Sequence, residues 1–164
     1  MKKGTVIMVC GLPGAGKTTF AKKLEKERKA VRFCPDEWII PLLKDPTDMD
    51  EAKRIRTPLE KLMFEQAIIL ANLGVNVILE NGFWTKVDRD HHKVQLKKAG
   101  LRIELFFLDA PLNVLWERVK KRNKKDYPFK VSLAYLKKWH KIFGPPTEEE
   151  IPHYDFYKNI NKNL

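Results

Sequence analysis

Short apolar runs alternate along the chain with longer stretches in which apolar residues recur at helical spacing. The first run is Thr5–Cys10. A helix is expected from about Gly16 to Arg28, with Phe20, Ala21 and Leu24 on one face. A second run, Ala30–Cys34, leads into the turn Pro35-Asp36-Glu37 and a helix carrying Trp38, Ile39, Leu42 and Leu43. Polar residues and Pro46 make Lys44–Asp50 a loop. A long helix follows over Pro58–Leu73, with Gly74 as its stop signal. Then come a buried strand, Val75–Leu79, a helix over Lys86–Ala99, and the clearest strand, Leu101–Leu108. Pro111 suits the first turn of the next helix, which runs to Asn123, and Ser132 suits the N-cap of a last helix reaching Phe143. Strand runs alternating with helices predict an α/β fold around a parallel sheet. Four strands are visible, and the tail is the candidate for a fifth at the edge.

The length of 164 residues suits one domain over 1–164. No apolar run is long enough to span a bilayer. The segment Val6–Cys10 leads into a glycine loop rather than a cleavage site, so a cytoplasmic protein without a membrane partner is expected. Cys10 and Cys34 each end an apolar run and match no metal-ligand spacing, which suits two buried thiols. The net charge of +11 favours anionic partners, from nucleotides to nucleic acid.

The strongest chemical signal is Gly11-Leu12-Pro13-Gly14-Ala15-Gly16-Lys17-Thr18, which fits G-x-x-x-x-G-K-[ST] at every fixed position. Glycines let the backbone curl so that successive N–H groups face phosphate oxygens, and the helix that starts there aims its positive end at the same anion. Lys17 can reach the β- and γ-phosphates, the Thr18 hydroxyl can bind Mg²⁺, and Thr19 stands next to them. ATP with Mg²⁺ is the expected ligand. The guanine-reading pattern N-K-x-D at Asn123–Asp126 is a decoy, because Val114, Leu115, Arg118, Val119 and Arg122 before it keep helical spacing.

Three further features point to phosphoryl transfer. Asp36 follows the second strand, where the carboxyl ends of parallel strands face a ligand crevice. It suits a general base that takes the proton of an acceptor hydroxyl; capping the next helix is the alternative. Glu80 ends the third strand and suits metal or substrate binding, or a structural carboxylate. Arg118 and Arg122, one turn apart, precede a lysine-rich stretch with Pro128. They suit a basic lid over about 118–132 that brings guanidinium groups to the triphosphate, against a merely solvated basic face.

The stretches GLPGAGKTTFAKKL, CPDEW, VILENGFWTKVDRD, LDAPLNVLWERVKKRN and FGPPTEEE resemble, in that order, small P-loop kinases of an AAA-like group. Relatives by motif include polynucleotide 5′-hydroxyl kinases, chloramphenicol phosphotransferase and zeta toxins. The resemblance implies a three-layer P-loop NTPase fold with sheet order 2-3-1-4-5. It implies Asp36 as base and Arg118 and Arg122 as lid arginines, with Arg122 nearer the transition state. It also marks Arg89 as a substrate-binding candidate, and Glu80 stands where many relatives carry Asp. The expected activity is an ATP-dependent kinase acting on a hydroxyl. A small-molecule acceptor is favoured, with Phe33, Trp38, Phe83 and Trp84 as a pocket lining or plain core. A polynucleotide 5′-hydroxyl acceptor and a non-catalytic ATP-binding module stay open, as does a toxin-like kinase. His91 and His92 are expected to face solvent.

Overall fold

The computed structural model describes residues 2–45, 48–125 and 129–160. Parallel strands β1 (Thr5–Cys10), β2 (Val31–Phe33), β3 (Val77–Gly82), β4 (Arg102–Phe107) and β5 (Phe156–Asn159) form one sheet in the order β2-β3-β1-β4-β5. The expected order is therefore present, and the tail does supply the fifth strand. β1 and the first half of β3 read as continuous apolar runs because helices cover both faces of the sheet. Val6, Ile7, Met8, Val9, Val77, Ile78 and Leu79 are all buried.

Helices α1 (Lys17–Arg28), α5 (Leu112–Asn123) and α6 (Leu133–Ile142) contribute Ala21, Leu24, Leu115, Val119 and Leu136 to one core cluster. On the other face, α3 (Met49–Asn72) and α4 (Lys86–Lys98) contribute Met63, Phe64, Ala67, Ala71 and Leu96 to a second. Burial pushes the Cys10 thiol up to about 12 and the Cys34 thiol to about 11, so both are inert at neutral pH. None of the described helices is long and apolar enough to cross a membrane.

Three boundaries differ from expectation. α3 starts at Met49, nine residues before Pro58, which lies inside the helix. Asp48 makes this early start: its carboxylate accepts from the N–H groups of Asp50 and Glu51, both at 2.9 Å. Such a cap contributes about 1 kcal/mol and offsets part of the rung lost at the proline. β3 extends to Gly82, so Glu80 lies within the strand. The helix after Cys34 is short: α2 (Pro35–Ile39) runs into a 3-10 turn at Ile40–Leu42, where Pro41 removes a donor. His92 also departs from the solvent-facing expectation. It is half-buried, edge-on to Phe64 and Phe83, and paired with Asp88 at 3.1 Å.

Candidate active site

The loop between β1 and α1 lies at the carboxyl ends of the strands, where open parallel sheets bind ligands. Its curl depends on glycine. Gly14 has φ 87, and a Cβ there would meet the Leu115 carbonyl oxygen at 2.6 Å. Gly16, at φ 97, forms the N-cap of α1. Leu12 and Ala15 are buried under the loop while Pro13 stays partly open, so the backbone between them forms the rim. Gly11 N–H donates to the Gly82 carbonyl at 2.9 Å, which ties the loop to the end of β3.

Lys17 reaches back to the Leu12 carbonyl at 3.1 Å. Burial lowers its pKa below the usual lysine value, and the charges of Glu80 and Asp36 oppose that shift. Arg122 also acts on Lys17, in the lowering direction. Asp36, Glu80 and Arg122 thus all act electrostatically on one ammonium group, although they come from α2, β3 and α5. Arg118 leans on the loop from α5, with Nη1 at 3.4 Å from the Gly14 carbonyl.

The Thr18 hydroxyl donates to Glu80 Oε1. The other Glu80 oxygen accepts from Arg32 Nη1 at 2.9 Å. Arg32 also binds Glu37 at 2.6 Å and Glu25 at 3.2 Å. A hydroxyl and a carboxylate held together beside a phosphate loop make a hard-oxygen pair that fits Mg²⁺. Thr19, next on α1, is exposed at the same helix head.

Asp36 is not the cap of α2. Cys34 holds that position, without a side-chain cap bond. The Asp36 carboxylate instead accepts from Arg56 Nη2, and Arg56 Nη1 donates to Glu60 at 3.1 Å. Burial raises the Glu60 pKa, with Arg56 partly offsetting it and Asp88 and Asp36 adding to it. Arg56 therefore holds two acids in place, and sequence reasoning missed it because 49–57 was not read as helix. Asp48 three residues before Glu51 was the available signal.

Arg89 is a correction. It is fully buried, and its nitrogens are all engaged within the protein. Nε and Nη2 donate to Glu150 at 2.9 and 2.8 Å, Nη1 to the Phe83 and Gly144 carbonyls at 3.0 and 2.7 Å. Burial opposes ionisation of Glu150, but these bonds from Arg89 hold its carboxyl below the usual carboxylate range. Arg89 is a clamp that ties the Phe83 carbonyl to the 144–150 segment, with its guanidinium closed to solvent. The aromatic set divides as well. Phe83 is fully buried and Phe33 nearly so, whereas Trp38 is exposed beside Asp36 with its ring edge-on to Phe33 at 5.6 Å. Trp84 packs on Trp139 at 5.4 Å.

Of the expected lid, residues 126–128, with Asp126 and Pro128, lie outside the described residues. At its base, Asn123 Nδ2 donates to the Val131 carbonyl at 2.7 Å and its Oδ1 accepts from the Val131 N–H at 3.2 Å. Asn123 thus closes a loop between helices and does not read a guanine.

Residues 6–146 match a family model described as AAA domain. The chain belongs to that family. Solved structures agree on the fold of this AAA-domain protein. A kinase-like protein of Chloroflexus aurantiacus superposes with TM-score 0.78 at 20% identity, over 98% of this chain and 86% of that one. Kti12 of Chaetomium thermophilum, solved with ADP-AlF3, gives 0.72 at 13% identity, over 96% and 89%. The APS kinase CysC of Mycobacterium tuberculosis, solved with AMPPNP and APS, gives 0.64 at 18% identity, over 99% and 91%. A comparison with curated protein sequences gives no match. The AAA-domain protein thus has the kinase-like P-loop fold, and its site must be argued from its own residues.

Proposed function

We propose that the protein is a cytoplasmic ATP-dependent phosphotransferase that moves the γ-phosphate of Mg-ATP to a hydroxyl group, most simply of a small molecule. The observation that carries this reading is the convergence of a phosphate loop, the Thr18–Glu80 pair and Asp36 around Lys17. The loop Gly11–Thr18 wraps the phosphates, and the backbone N–H groups of Gly16, Lys17, Thr18 and Thr19 at the head of α1 donate to them. Lys17 and Arg122 face the charge that builds on the transferring group, and Arg118 secures the loop side. Thr18 and Glu80 would hold Mg²⁺, which when bound would supply positive charge to offset that of the phosphates. Asp36 takes the proton of the attacking hydroxyl, kept in position by Arg56. Exposed Trp38 offers the acceptor an apolar wall two residues from that base.

The direct test is phosphate transfer from labelled ATP to nucleosides, sugars, aminoglycosides and 5′-hydroxyl oligonucleotides. One acceptor class should gain label with the wild type and none with Lys17→Ala. Tight ATP binding with no transfer to any class would favour an ATP-binding module instead. Once an acceptor is known, Glu80→Gln should raise the Mg²⁺ concentration needed for half-maximal transfer about 10–100-fold. A magnesium titration with a melting control reads this, and an unchanged requirement would remove Glu80 from the metal set.

A further inference from the structure

The positive charge of this chain is unevenly placed. Residues 118–146 carry ten Lys or Arg against one Asp, so nine of the eleven net charges fall in that one stretch. The rest of the chain is nearly balanced, and about half of its cations pair with acids among the described residues. Lys86 and Lys93 share Asp90, Lys22 pairs with Glu37, and Arg32 gathers Glu25, Glu37 and Glu80.

α6 is different. It buries Leu136 and turns Lys137, Lys138, His140 and Lys141 to solvent. Lys137, Lys138 and Lys141 make no ion pair among the described residues. A shallow groove beside the head of α5 is lined by Leu112, Ala134, Lys137, Lys138, His140 and Lys141, with no carboxylate among them. None of the three lysines hydrogen-bonds the phosphate loop, whose cations are Lys17, Arg118 and Arg122. Aromatic rings lie on the adjoining side of the same helix. Tyr135 is 54% exposed, and its ring stacks on Trp139 at 5.8 Å and 27°. Trp139 in turn packs on Trp84. One face of Tyr135 is thus fixed from behind, one helical turn from Lys138 at the side of the groove.

We infer that this face of α6 binds single-stranded nucleic acid. Phosphates lie along the groove against Lys137, Lys138 and Lys141, and an unpaired base stacks on Tyr135. The charge alone would attract any polyanion. The rigid, open aromatic face selects unpaired bases, because duplex bases are already stacked. None of these residues belongs to the proposed catalytic set, so the inference does not depend on which hydroxyl receives phosphate.

Fluorescence anisotropy with a short labelled oligouridylate tests this on the full chain. Wild-type affinity should fall with salt. Lys137→Glu/Lys138→Glu/Lys141→Glu should weaken binding more than about tenfold and flatten the slope of log affinity against log salt by about 2. Tyr135→Ala keeps every charge. It should lose about tenfold for oligouridylate and nothing for heparin, a polyanion without bases. Nucleotide affinity should stay at the wild-type level in both variants. Wild-type-like binding by the triple variant would overturn the inference. So would equal losses of heparin and oligouridylate in Tyr135→Ala, or preferred binding to phosphatidylserine vesicles or polyglutamate. Loss of ATP binding along with oligouridylate would argue against a separate surface.

Discussion

Asp36→Asn should lower the rate of phosphoryl transfer about 10²–10⁴-fold, the usual contribution of a positioned general base, while ATP affinity changes little. The asparagine keeps the shape and can still accept from Arg56 at Oδ1, so the site around it should not collapse. It cannot take a proton from the acceptor. In the proposed reading ATP contacts lie on the loop and on Lys17, and Asp36 acts on Lys17 through its charge. Arg56→Lys extends the same argument. A lysine is a point charge and cannot hold Asp36 and Glu60 with one planar fork. Its loss should be smaller, in kcat rather than in ATP affinity. Single-turnover transfer alongside an ATP titration separates the two, and undiminished transfer by Asp36→Asn would leave that carboxylate a purely structural role.

The second large effect concerns stability. Arg89→Met should destabilise the protein by about 3–5 kcal/mol, because it leaves Glu150 buried without its partner. Both side chains are closed to water, at 0% and 1% exposure, so solvent screening gives little relief. For a chain of this size that corresponds to a melting shift on the order of 10 °C. Arg89→Met combined with Glu150→Leu should recover much of the loss, since the orphan charge is gone. Denaturant curves for the four members of this cycle give the coupling. A double variant as unstable as the sum of the singles would mean that the carbonyl bonds from Phe83, Gly144 and Pro145 matter more than the ion pair.

Much of the architecture was legible in the chain. β1 is an apolar run, β4 is apolar but for Arg102 and Glu104, and helical spacing marked α1, α5 and most of α3. The phosphate loop was fully readable, because its chemistry requires glycines and a lysine at fixed offsets. Pro58 concealed the start of α3. A proline disfavours helix at the residue before it, so Thr57 read as a boundary although tertiary packing and the Asp48 cap carry the helix through. Arg56 was lost with that turn. The remaining gaps are pairings that join distant residues. Arg32 meets Glu80 across 48 positions and Arg89 meets Glu150 across 61. No local period records such contacts, so a buried clamp and a substrate-facing arginine look alike along the sequence.

The Arg89–Glu150 clamp has a consequence for synthesis. During translation, Arg89 and the strands it underlies emerge well before Glu150, and β5 follows later still. Until then the guanidinium beneath Phe83 has no carboxylate, and β4 has an open edge. A partly made chain would therefore carry a cation without its anion and an unpaired sheet edge until residues up to Asn159 have left the ribosome.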